Sequence, residues 1–169
     1  MGPLVHACRD RGGEVEPLVC LTGQHREMLD QVVDYFEISL DFDLDLMSPN
    51  QSLAKLTSRC LSELDQLIRR TEPDCVVGQG DTTTAMVASL VAFYHRIPYV
   101  HVEAGLRTGD LYAPWPEEFN RRAISLTARL HCAPTETAAD NLRRGGIHPD
   151  TIHVTGNTVI DALLWAIQR

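Results

Sequence analysis

The stretch Asp74-Cys-Val-Val-Gly-Gln-Gly-Asp-Thr-Thr-Thr84, carried through an apolar segment to His95 and on to Tyr99-Val-His-Val-Glu103, decides the fold. A short apolar run, a glycine-rich turn, a segment of helical length and a second apolar run make up a β-α-β unit, whose two strands run parallel. Residues 82–95 are apolar nearly all round, which predicts a buried helix. The same alternation continues on both sides. Upstream, residues 15–21 read as a strand ending at Thr22-Gly23, and residues 24–36 as a helix with Met28, Leu29, Val32, Val33 and Phe36 on one stripe. Asp41-Phe-Asp-Leu-Asp-Leu46 alternates with period two, as an edge strand or extended loop does. Its acids lack the glycine and terminal glutamate of a calcium loop. Residues 52–70 form a long amphipathic helix stopped by Pro73. Downstream, residues 130–133 and 151–154 read as strands, and residues 117–127, 136–144 and 157–167 as helices. The pattern is that of an α/β protein, a parallel sheet flanked by helices, with residues 1–169 forming one domain.

Composition narrows the function. The 44% hydrophobic content over 169 residues suffices for a core, and a net charge of −8 argues against a broad nucleic-acid surface. No apolar run approaches the ~20 residues of a membrane helix, and the N-terminus lacks the layout of a signal peptide. Five cysteines without a C-x-x-C pair are expected to be buried, inert thiols in a reducing, cytoplasmic compartment. The seven histidines show no zinc-binding spacing, so no metal is expected. The chain opens directly on the helix Pro3-Leu-Val-His-Ala-Cys8, and its last helix reaches Arg169 without a stop, so both ends read as cut.

In an open parallel sheet, ligands bind beyond the carboxyl ends of the strands. Asp81 stands at such a junction after Gly78-Gln-Gly80, where its plainer role is to cap the next helix. Glu103 follows its strand directly, where burial would suit a carboxyl to proton transfer near neutrality, or would simply pair it with Arg107. The long segment after it, through Pro114-Trp-Pro-Glu-Glu118, is dense in ionisable groups. Glu117 or Glu118 serves either chemistry or the helix dipole. Gln24-His-Arg-Glu27 heads a helix where a phosphate or sugar hydroxyl would fit, and Asn157 reads as a helix cap that can also donate to a ligand. Three carboxylates, Asp81, Glu103 and Glu117, thus converge on one sheet edge, which suggests acid-base chemistry on a small polar molecule.

Together, Gln24-His-Arg-Glu-Met-Leu29, Gly80-Asp-Thr-Thr-Thr84, His101-Val-Glu-Ala-Gly-Leu-Arg-Thr-Gly-Asp110, Pro114-Trp-Pro-Glu-Glu118, Pro134-Thr-Glu-Thr137 and Thr155-Gly-Asn-Thr-Val-Ile-Asp-Ala-Leu163 closely resemble the non-hydrolysing UDP-N-acetylglucosamine 2-epimerases, in order from Pro3 to Trp165. The resemblance implies the N-terminal Rossmann-like half of a two-domain GT-B enzyme, without the family's first strand, its Gly-Thr-Arg-Pro-Glu loop and its C-terminal, uridine-holding domain. It implies interconversion of UDP-N-acetylglucosamine and UDP-N-acetylmannosamine by elimination and re-addition of UDP, with no cofactor, by a homodimer. By resemblance Asp81, Glu103 and Glu117 are the catalytic acids, Arg107, Thr108, Gly109 and Asn157 contact substrate, and Gln24, His25, Glu27 and Arg59 belong to a second, regulatory substrate site. It further implies that 169 residues alone have little activity and expose a sheet edge. The alternatives are a truncated, non-catalytic nucleotide-sugar-binding or interaction module, and a GT-B glycosyltransferase.

Overall fold

Seven α-helices and six strands alternate along residues 1–23 and 26–167, the residues described by the computed structural model. In chain order they are α1 (Gly2–Arg9), β1 (Cys20–Leu21), α2 (Arg26–Tyr35), β2 (Phe42–Asp43), α3 (Leu53–Thr71), β3 (Val76–Gln79), α4 (Thr83–Tyr94), β4 (Tyr99–Val102), α5 (Glu117–Thr127), β5 (Leu130–Ala133), α6 (Glu136–Arg144), β6 (Ile152–Val154) and α7 (Thr158–Ile167). They fall into two units, Met1–Gln51 with Asn157–Arg169, and Ser52–Gly156.

In the first unit β1 and β2 pair in parallel, Cys20 opposite Phe42 and Leu21 opposite Asp43. The alternating acidic stretch therefore supplies a strand, and the Asp41 carboxylate accepts the Val19 N–H at 2.7 Å. The strand expected over residues 15–21 is corrected to two residues, with Val15 and Leu18 exposed. The reason is that β1 has one strand neighbour among the described residues, so nothing pairs with residues 15–18. The ring of His6 stacks on Trp165 at 4.6 Å between centroids, joining α1 to α7, while Val159, Ile160, Leu163, Leu164 and Ile167 of α7 are exposed.

The second unit holds a fully parallel sheet in the order β3-β4-β5-β6. Ser52, Thr82 and Thr135 cap α3, α4 and α6, each hydroxyl accepting the N–H three residues on, which satisfies a donor the helix itself leaves open. Leu56, Cys60, Leu64 and Ile68 recur every four residues and form the buried face of α3. Gly78 is required by packing: a Cβ there would collide with the Tyr99 hydroxyl, which donates to the Ala85 carbonyl at 3.3 Å. Two expectations are corrected. The helix α4 is buried only as far as Ala92, with Phe93 and Tyr94 exposed. Cys75, expected to be buried, is exposed, standing just before β3, which has one strand neighbour among the described residues; Cys60 alone is fully buried, Cys8, Cys20 and Cys132 are partly so, and all five are free.

Candidate active site

The carboxyl ends of β3 and β4 lie in register, Gln79 opposite Val102, so the residues that follow them emerge side by side. Gly80 adopts a left-handed φ of 77°, which glycine permits without strain, and Asp81 follows it. Thr82 rather than Asp81 caps α4, so the plainer reading of Asp81 as a cap is displaced. Its carboxylate faces α5 instead. Arg121 Nε donates to Asp81 Oδ2 at 2.9 Å, with Nη2 in ion-pair contact with the same oxygen at 2.6 Å, and Asn120 Nδ2 donates to the Asp81 carbonyl at 2.8 Å.

Glu103 directly follows β4 and is half-buried, with a left-handed φ of 66° that costs a non-glycine residue about 1 kcal/mol. Gln79 Nε2 donates to its Oε2 at 3.2 Å, tying the two strand ends together. Arg107 turns elsewhere, donating to Ser125 Oγ at 2.7 Å and to the Leu106 carbonyl at 2.7 Å. Burial lowers its guanidinium below the ordinary value; Glu118 opposes this, and Arg122 and Arg121 add to it.

Of the adjacent glutamates, Glu118 is the buried one, with a side chain 0% exposed. Its Oε2 accepts from the Thr108 N–H at 3.1 Å and Arg121 Nη1 at 3.4 Å, and its Oε1 from Arg122 Nε at 3.0 Å. Burial raises this carboxyl, yet the Thr108 N–H, Arg122 and Arg121 outweigh it and hold Glu118 below the ordinary glutamate range. Glu117 opens α5 half-buried, one turn before Arg121 and therefore on the same helix face as the guanidinium that holds Asp81. Asp81, Glu103 and Glu117 are thus brought to one end of the sheet, all within the second unit.

His101 underlies this edge. It is 1% exposed, and its Nε2 lies 2.8 Å from the Gly80 carbonyl, an acceptor, so Nε2 carries the proton and Nδ1 keeps a buried lone pair without a partner among the described residues. Burial pushes the imidazole down to about 4, opposed by the Gly80 bond and Asp81 and helped by His131 and Arg107.

The remaining expected site residues are placed as follows. Thr108 Oγ1 donates to the Ala113 carbonyl at 2.5 Å, and Gly109 is exposed at the tip of the same turn. Asn157 belongs to the other unit and accepts the Val159 N–H on its Oδ1 at 3.0 Å. Arg59 is half-buried on α3. Gln24 and His25 lie outside the described residues, as does the side chain of Glu27 on α2. Among the described residues no group of three or more His, Cys, Asp or Glu is placed to hold a metal ion. The sequence reading missed Gln79 and Arg121 as site residues and left Glu118 as an alternative to Glu117. For Arg121 the signal was its spacing from Glu118, which reads equally as a solvated helix face.

Comparison with known proteins bears on what this edge does. A family model described as UDP-N-acetylglucosamine 2-epimerase matches residues 6–169. A UDP-N-acetylglucosamine 2-epimerase of Yersinia pestis is 54% identical over 169 residues, all of this chain and 45% of the relative; one of Escherichia coli K12 is 53% identical over 165 residues, 98% of this chain and 44% of the relative. The crystal structure of the Neisseria meningitidis UDP-GlcNAc 2-epimerase bound to UDP-GlcNAc superposes with a TM-score of 0.95 at 49% identity, over 99% of this chain and 45% of that one. The Methanocaldococcus jannaschii enzyme in complex with UDP-GlcNAc and UDP gives 0.89 at 33% identity, over 97% and 44%. The chain thus spans less than half the length of the relatives it matches.

Proposed function

This chain belongs to the UDP-N-acetylglucosamine 2-epimerase family, and on that premise we propose that it supplies the acid-base carboxylates of an enzyme interconverting UDP-N-acetylglucosamine and UDP-N-acetylmannosamine. The C2 proton of the sugar has no adjacent carbonyl to acidify it, so direct abstraction is disfavoured. In the elimination route one carboxylate takes the C2 proton, the C–H electron pair becomes the C1=C2 bond, and the C1–O pair leaves with UDP. Re-addition of UDP to C1, with a proton delivered to the other face of C2, gives the epimer. The observation that carries the reading is the gathering of Asp81, Glu103 and Glu117 at the carboxyl end of two adjacent parallel strands.

In this proposal Asp81, Glu103 and Glu117 handle protons around the sugar, and Arg107, Thr108, Gly109 and Asn157 bind substrate. Arg59, with Gln24, His25 and Glu27, contributes to a second substrate site. The working enzyme is a homodimer. Its five free thiols suit a reducing cytoplasm, which cell fractionation checks. Changing Glu103 or Glu117 to Gln in the full-length enzyme keeps shape and removes the proton chemistry. Incorporation of deuterium at C2 in heavy water is expected to fall roughly 100-fold or more while the thermal midpoint barely moves; unchanged incorporation would show that these are structural acids.

A further inference from the structure

We propose that Glu118 and Arg121 are positioning residues, a buried relay that fixes the Asp81 carboxylate relative to the turn carrying Arg107 and Thr108. The inference rests on the reading of Asp81 as a proton-handling carboxylate and adds to it how that carboxylate is aimed.

Two features of the geometry point this way. First, both Arg121 contacts with Asp81 fall on one oxygen, Nε at 2.9 Å and Nη2 at 2.6 Å to Oδ2. Among the described residues no donor reaches Oδ1. A guanidinium that saturates one carboxylate oxygen and leaves the other open holds the group at a fixed angle with one oxygen available for a reacting proton. The Asn120 amide on the Asp81 carbonyl fixes the backbone of the same residue, so α5 determines both ends of its side-chain torsion. Second, Arg121 is itself held. Its third nitrogen, Nη1, lies 3.4 Å from Glu118 Oε2, and that same oxygen accepts the Thr108 N–H at 3.1 Å. A single buried carboxylate oxygen therefore joins the substrate turn after β4 to the guanidinium that aims Asp81.

A carboxylate without solvent exposure is costly unless fully compensated. Glu118 has that compensation from one backbone N–H and two arginines, one of which, Arg121, is only 14% exposed. If the sole task were to attach α5 to the sheet, apolar packing would do it without an ion network. A network that ends on a reacting carboxylate at one side and on a substrate turn at the other is suited to transmit placement: movement of the Thr108 turn shifts the Glu118 oxygen, and Arg121 with it.

The test is a double-mutant cycle in the full-length enzyme, with Asp81→Asn, Arg121→Met and the pair, plus Arg121→Lys. The relay requires that Arg121→Met lower kcat by roughly 30-fold or more with KM moved less than about 3-fold, and that it add little further loss in the Asp81→Asn background, because both substitutions remove one unit. Arg121→Lys keeps the charge but cannot grip Asp81 and Glu118 together, so it should restore part of kcat and serve as the informative variant should Arg121→Met fold poorly. Full additivity of the two losses, or wild-type kcat in Arg121→Lys, would overturn the relay. An undiminished kcat in Asp81→Asn would instead overturn the carboxylate role itself, so the two failures are distinguishable. Glu118→Gln supplies an independent arm. Its amide turns a donor toward either the Thr108 N–H or a guanidinium, so KM for UDP-N-acetylglucosamine should rise along with the loss of kcat; a Glu118→Gln enzyme with both parameters unchanged would also overturn the relay.

Discussion

At the scale of single residues, chemistry here depends on which charged group is buried and which is left open. Glu117 and Glu118 are neighbours of the same type, yet one side chain is sealed inside the network while the other stands half-buried at the helix start. Their difference is one of helix phase: a step of about 100° per residue puts Glu118 toward the Thr108 turn and Glu117 in line with Arg121. His101 is the other residue whose state burial determines. Its imidazole titrates at about 4 when folded and at about 6.5 when exposed, so protonation opposes folding. The stabilisation from keeping it neutral is complete above pH 6.5 and is lost as the pH falls from there to 4, in total roughly 3 kcal/mol. Urea unfolding at pH 7, 5.5 and 4 should show this loss, and His101→Asn, whose amide still donates toward Gly80, should make the decline shallower. Burial also lowers His131, which adds to the slope in the same direction and leaves a remainder in the variant. An identical decline in both proteins would show that His101 does not titrate in this window.

At the scale of elements, helices were legible almost to the residue, as were the strands β4 and β5, whereas the first strand was not. The bounds of α5 and α6 coincide with the sequence reading, because a helix is closed by its own i to i−4 bonds and by caps a few positions away, such as Thr135 on Ala138. A strand is closed by a neighbour distant in sequence. Residues 15–21 have the right composition for a strand, and only Cys20–Leu21 becomes one, because only those two face β2. Gly78 shows the same dependence from the other side. In the sequence it is one glycine of a turn, but in the sheet it makes room for Tyr99, which stands in the adjacent strand. Gly78→Ala is therefore expected to destabilise by about 1–3 kcal/mol in chemical denaturation, and Tyr99→Phe, by removing the colliding oxygen, should recover part of that loss in the double variant. A Gly78→Ala protein as stable as the parent would show that Tyr99 has room to move.

At the scale of the whole molecule, the chain spans about 45% of the length of its relatives, and the proposed activity belongs to the complete enzyme. The homodimer proposed for that enzyme predicts a sedimentation mass of two full-length chains at micromolar concentration; a single-chain mass would rule it out. The exposed Phe93, Tyr94 and Leu126 of the second unit, and the exposed apolar residues of α7, are surface of the sort that assemblies cover. What the sequence by itself determined was the order of helices and strands, their parallel arrangement and the family, since periodicity, caps and junction motifs are local properties of the chain. The placement of the three carboxylates was legible for the same reason: each stands just after a strand or at the start of a helix. Only the tertiary structure decided that Asp81 is gripped by Arg121 instead of capping α4, that Gln79 reaches Glu103, and that Glu118 is sealed between two arginines and the Thr108 turn. Those contacts join residues up to 40 positions apart, and whether a charge at such a distance is paired, buried or left to solvent is determined by packing, which no local pattern encodes.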